Sequence, residues 1–75
     1  MARVIRYDRH ATRRMKWRNI SEREVETILA NPDKLEQTER GRINAFKQVG
    51  ARYLKVTYKE YSNELLIISA VDKSD

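Results

Sequence analysis

The sequence runs to 75 residues, enough for one domain, and sets 16 lysines and arginines against 11 acids, a net charge of +5. It holds no cysteine and a single histidine, which excludes a disulfide framework and a thiolate metal site and argues against structural zinc. No apolar run approaches the roughly 20 residues that span a membrane. The opening MARVIRYDRH lacks the apolar centre of a signal peptide. A soluble cytoplasmic protein with no cofactor and no membrane partner is expected.

Val4 and Ile5 suggest a short first strand. Asp8 is a plausible N-cap for a helix over residues 8–18, with Ala11 and Met15 on its buried side and Asn19 at its end. Trp17 reads as a packing residue, because tryptophan is a large apolar side chain, with a base-stacking platform as the alternative. A second helix over residues 21–30 has a clear start. Ser21 and Glu24 form a capping box, Ile20 before them is a hydrophobic staple, and Val25, Ile28 and Leu29 make the apolar stripe. Asn31-Pro32-Asp33 stops it, since a residue before proline avoids the α region.

After Pro32 the apolar period changes from helical to alternating. Leu35–Glu39 is a weak strand, Arg40-Gly41-Arg42 a turn, Arg42–Val49 a strand and Gly50-Ala51 a second turn. In Arg52–Lys59, Leu54, Val56 and Tyr58 share one face, while Tyr53, Lys55 and Thr57 share the other. Tyr61-Ser62-Asn63 is a third turn, and Leu65–Val71 reads as a central strand. The expected fold is α+β, a single domain over 1–75. Two helices pack on one face of a mainly antiparallel four- to five-stranded sheet, in the order β-α-α-β-β-β-β. Val4, Met15, Val25, Ile28, Leu29, Phe46, Leu54, Val56, Leu66 and Ile68 are expected to be mostly buried.

Charge is unevenly spread. Residues 1–18 hold Arg3, Arg6, Arg9, Arg13, Arg14, Lys16 and Arg18 against Asp8, whereas residues 22–39 hold six acids against Arg23 and Lys34. Ten arginines against six lysines lean towards phosphate contact, because the guanidinium fork matches phosphate geometry. His10, Arg14 and Arg18 recur at i, i+4 and i+8 and so fall near one stripe of the first helix. Arg9 and Arg13 lie on another side and read as a solvated face.

Two resemblances follow. His10-Ala11, Arg14-Met15, Arg18, Ile20, Val25, Leu29 and Asn31-Pro32 resemble a family of short prokaryotic proteins of unassigned function. The line of that family is H-A, then R-M-x-x-R-x-I, then an acidic helix ending in N-P. The second half, with Val49-Gly50, Leu54-Lys55-Val56-Thr57-Tyr58 and Ala70-Val71-Asp72-Lys73, is similar to the sheet of the RelE/ParE toxin superfamily. That likeness implies a phosphate-contacting role for Lys55 and puts Lys73 near the basic residues after the last strand. Nuclease members commonly place a tyrosine or histidine after the last strand, where this sequence reads Lys73-Ser74-Asp75. Acid and base work is then expected of another residue.

Metal-free RNA cleavage needs a base for the 2′-OH, cations for the charged phosphorane and an acid for the leaving oxygen. His10 is the one side chain whose ordinary titration lies near neutrality. The expected catalytic set is His10, Arg14 and Lys55, converging on a groove between the first helix and the sheet. Arg18, Arg52, Tyr53 and Lys73 are the expected nucleic-acid contacts, with the Tyr53–Lys59 strand face either a basic, aromatic binding surface or an ordinary solvent face rich in β formers. The structural alternative is that His10 caps or packs the first helix, and that Arg14 and Arg18 pair with acids of the second.

The sequence thus reads as a RelE/ParE-like nucleic-acid-binding protein, with a ribonuclease-type toxin of a toxin-antitoxin pair as its catalytic form. RNA or single-stranded nucleic acid and an antitoxin protein are the expected partners. The alternative is a non-catalytic module that binds a protein partner, or its own copy, through a sheet edge or the basic face.

Overall fold

A computed structural model describes residues 4–38 and 40–74. Arg3 of the basic run, Glu39 at the end of the expected second strand, and Asp75 lie outside the described residues.

Local chemistry sets both helices. Helix α1 (Arg9–Trp17) starts where the Asp8 carboxylate accepts the His10 amide at 2.8 Å. It ends in a Schellman turn. Asn19 takes φ +56°, its amide donates to the Lys16 carbonyl at 3.2 Å, and the Ile20 amide donates to the Met15 carbonyl at 2.9 Å. Asparagine tolerates that left-handed conformation better than most residues. Helix α2 (Glu22–Ala30) starts at the capping box that Ser21 and Glu24 form with each other. Ile20 and Val25, the staple pair, are both buried.

Five strands follow the expected order: β1 (Val4–Tyr7), then, after the helices, β2 (Lys34–Gln37), β3 (Arg42–Val49), β4 (Arg52–Glu60) and β5 (Glu64–Asp72). In space they run β1-β5-β4-β3-β2. Three neighbouring pairs are antiparallel, and β1 joins β5 in parallel, Val4 beside Glu64. Gly41 and Gly50, at φ +75° and +62°, close the β2–β3 and β3–β4 turns. The fold is α+β, two helices on a mostly antiparallel sheet.

The core lies between helices and sheet. Ala11, Met15, Ile20, Val25 and Ile28 meet Ala45, Leu54, Val56, Tyr58, Ile67 and Ala70. Register puts Leu35, Ala45, Val56 and Ala70 in one row on this face. Each fully buried Val, Leu or Ile contributes about 1.5–3 kcal/mol; Val25, Ile28, Leu54, Val56 and Ile67 are such residues.

Five of the expected core residues are not fully buried. Val4 is 64% exposed on the edge strand. Phe46, Leu66 and Ile68 are half-buried, as is Leu29 on α2. Phe46 alternates with Ala45 and so points to the sheet face away from the helices. A bulge between Thr57 and Tyr58 pairs them with Ser69 and Ile67, leaving Ile68 as the extra residue. That irregularity turns both Ile67 and Ala70 to the helices, three residues apart.

Candidate functional site

Helix α1 buries only Ala11 and Met15; Arg9, His10, Arg13, Arg14, Lys16 and Trp17 are all exposed. Two residues past Met15 is about half a turn around the helix, so Trp17 cannot reach the core. It is 86% exposed, contrary to the packing role expected of it. Arg13 and Arg14 stand one turn back, at i−4 and i−3, within reach of the indole. The helix contains no acid. Among the described residues, the side chains of His10 and Arg14 have neither a hydrogen bond nor an ion pair. The acids of α2 do not pair with them.

Arg18 and Arg52 both bond to the fold's own backbone, Arg18 while still exposed and Arg52 half-buried. Arg18 Nη1 donates to the Ala70 carbonyl of β5 at 2.9 Å. Arg52 alternates in phase with Leu54 and Val56 and therefore points to the helices. Its Nη1 donates to the carbonyls of Asn19 and Arg18 at 3.0 and 3.5 Å, and its Nη2 pairs with Glu24. The R-M-x-x-R-x-I line is thereby explained mainly as architecture. Met15 and Ile20 close the Schellman turn and enter the core, and Arg18 fastens that turn to β5. Arg14 is the member left facing solvent.

Tyr53 and Lys55 lie on the opposite face of the sheet. Register places Lys34, Phe46, Lys55 and Val71 in one row across four strands. Phe46 and Tyr53 stack at 5.9 Å between ring centroids, and Lys34 Nζ sits 5.1 Å from the centre of the Phe46 ring. Beside them Thr57 donates to Asn44 at 2.7 Å and Asn44 to Glu36 at 3.3 Å. The sheet separates Lys55 from His10 and Arg14, so the structure does not bring the expected catalytic set into one groove. Lys73 is exposed beyond β5, its amide donating to the Tyr53 carbonyl at 2.7 Å.

Glu24, Tyr7, Asp33 and Asp72 titrate away from their ordinary values. The Glu24 carboxyl is held below 4.5 by the Ser21 amide and by Arg52. The Tyr7 phenol is pushed up to about 12 by burial, with Glu22 and Glu26 adding. The Tyr7 hydroxyl is buried and has no hydrogen-bond partner among the described residues. A cavity of about 220 Å³ at the β2–β3 turn is lined by Gln37, Thr38, Gly41, Arg42, Ile43 and Glu60, none of them an expected site residue. Among the described residues no cluster of three His, Asp or Glu side chains could hold a metal ion, and no helix is long and apolar enough to cross a membrane.

The chemistry available is therefore divided between two faces, an acid-free cationic helix and a mixed sheet. Arg13 is exposed, as its expected place on a solvated face implies, and Trp17 is exposed beside it, against the packing reading. The signal was present in the helical phase, which puts both on the side away from Ala11 and Met15. No curated protein and no solved structure matches the chain. A family model described as a domain of unknown function, DUF4258, matches residues 7–72, a span that takes in both helices and four of the five strands, and the chain belongs to that family.

Proposed function

We propose that this protein binds RNA or single-stranded nucleic acid through the outward face of α1, as a RelE/ParE-like domain. One observation carries the reading: Arg9, His10, Arg13, Arg14 and Lys16 share an exposed helix surface with no acid and with an exposed tryptophan. The arginines and lysine there, unpaired among the described residues, give up little on meeting phosphate, and counterion release from the nucleic acid drives association. The order of two helices followed by an antiparallel sheet supports the kinship with toxins, as does the placing of Lys55 on the second strand from the end.

Titration of a labelled oligouridylate at rising salt tests it. Log affinity should fall against log salt with a slope of about −0.7 for each phosphate neutralised. Arg13→Ala and Arg14→Ala should each make the slope shallower by about that amount. Affinity that stays flat with salt, or no binding at low salt, sinks the reading. A ribonuclease-type toxin is its sharper form. There His10 would move the proton while Arg14 holds the phosphate, and His10→Ala would cost about 100-fold or more in turnover. An antitoxin frame beside the gene would point the same way.

The competing reading is a module that binds a protein or its own copy. It draws on Leu35, 57% exposed on the edge strand β2. Binding of a protein partner that survives both arginine substitutions but fails with Leu35→Lys would favour it.

A further inference from the structure

We infer that Trp17 is a base-stacking platform, so that the α1 face takes nucleic acid with unpaired bases in preference to duplex. This rests on the nucleic-acid reading above and names the class of ligand within it.

An indole that is 86% exposed adds almost nothing to the core. Its surroundings are basic: Arg13 and Arg14 lie one helical turn back on the same side. That arrangement offers a flat apolar surface with cations at the spacing of successive turns, about 5.4 Å. A single strand presents phosphates and free base faces together, and can satisfy both. A duplex stacks its bases on one another, so it can meet the arginines but gives the indole no partner. An acidic protein surface likewise answers the charge and leaves the ring exposed. Stacking is tolerant of sequence, because every base has a π face.

The platform is also fixed in place. Trp17 is the last residue of α1, and the Schellman turn behind it is tied down twice. Arg18 donates to the Ala70 carbonyl and Arg52 to the Asn19 carbonyl. A ring on a rigid helix end loses less freedom on binding than one on a loop.

The chain has one tryptophan, so tryptophan emission, excited selectively over the tyrosines, reports this position alone. The full chain is titrated at low salt with a single-stranded oligouridylate, a duplex RNA of equal length and polyglutamate, and labelled probes are followed by anisotropy for the variants. Single strands should quench the emission strongly and duplex weakly. Trp17→Ala should weaken binding of the single strand about tenfold or more and of the duplex less than about twofold, and Trp17→Phe should restore most of the loss. A thermal melt checks that Trp17→Ala is folded. If the single strand binds Trp17→Ala as well as it binds the unmodified protein, the stacking role is overturned while the nucleic-acid reading stands. If neither RNA binds the unmodified protein, both are overturned. Equal quenching and affinity with polyglutamate would overturn the inference in favour of an acidic protein partner.

Discussion

Glu24 and Arg52 lock the second helix to the sheet through a carboxylate that serves two structures at once. Oε1 accepts the Ser21 amide at 2.9 Å and completes the capping box, while Oε2 pairs with Arg52 on β4. Both side chains are about three-quarters buried at this pair. Glu24→Ala loses the cap and the pair and should cost about 2–4 kcal/mol in urea unfolding, the sum of a cap and a charge-assisted hydrogen bond. Glu24→Gln keeps an acceptor for the cap and should cost roughly half of that. Equal losses in the two variants would assign the whole effect to the pair.

Acid should weaken this lock. The Glu24 carboxyl lies below 4.5 in the folded protein, first because of the Ser21 amide and then because of Arg52. Its folded pKa is depressed, so its contribution is complete above 4.5 and drains away as pH falls through the lowered value. Asp33 and Asp72 are depressed as well, by the Gln48 amide and by Ser74, and act in the same direction. Denaturation midpoints followed from pH 6 to about 2 should show an acid limb that Glu24→Gln shortens without abolishing. An unchanged limb in that variant would place the titration on the aspartates.

The alkaline side belongs to Tyr7. Its folded pKa is raised from 10 to about 12, so the neutral phenol stabilises the fold fully below 10, and that stability is lost as pH rises from 10 towards 12. Tyr7→Phe should remove this limb. At neutral pH the same variant should be unchanged or up to about 1 kcal/mol more stable, because it deletes a buried hydroxyl that has no partner among the described residues. A clear loss of stability at pH 7 would mean the hydroxyl is satisfied in solution.

His10 and Arg14 stand on one side of the sheet and Lys55 on the other. Arg14→Ala and Lys55→Ala should therefore act additively on oligonucleotide affinity, with a coupling energy below about 0.5 kcal/mol in a double-mutant cycle. Coupling well above that would mean one phosphate is shared after all and would restore the groove expected from sequence.

Arg52→Ala separates architecture from recognition. The variant should lower stability, because Glu24 and the Asn19 carbonyl lose their donor. Under conditions where it is fully folded, it should bind oligouridylate within about twofold of the unmodified protein and keep the same salt slope, since its charge was already paired. A slope reduced by about 0.7 would show that Arg52 reaches phosphate.

Features set by neighbours in the chain were legible beforehand. Asp8, the Ser21–Glu24 box, Pro32 and the alternation of Leu54, Val56 and Tyr58 each act within a few residues, and each appears where expected. The phase of β5 was not legible, because a continuous apolar run hides a bulge, and Ile68 could not be told from Ile67. The role of Arg52 was hidden for another reason. A guanidinium suits phosphate, carboxylate and carbonyl alike, and its partner Glu24 lies 28 residues away. Trp17 was misjudged because tryptophan is usually well buried, and that tendency outweighed a helical phase pointing to solvent.

The parallel pairing of β1 with β5 also fixes an order of assembly. A nascent chain makes β1, α1 and α2 before β5, yet among the described residues β1 pairs with β5 alone, and α1 rests on β5 with Arg18 fastened to Ala70. Until β5 has left the ribosome, the apolar side of α1 has no sheet to cover it. Closing contacts so distant in sequence is slow compared with forming the β3–β4 hairpin. The cationic helix is thus synthesised well before the strand that seats it.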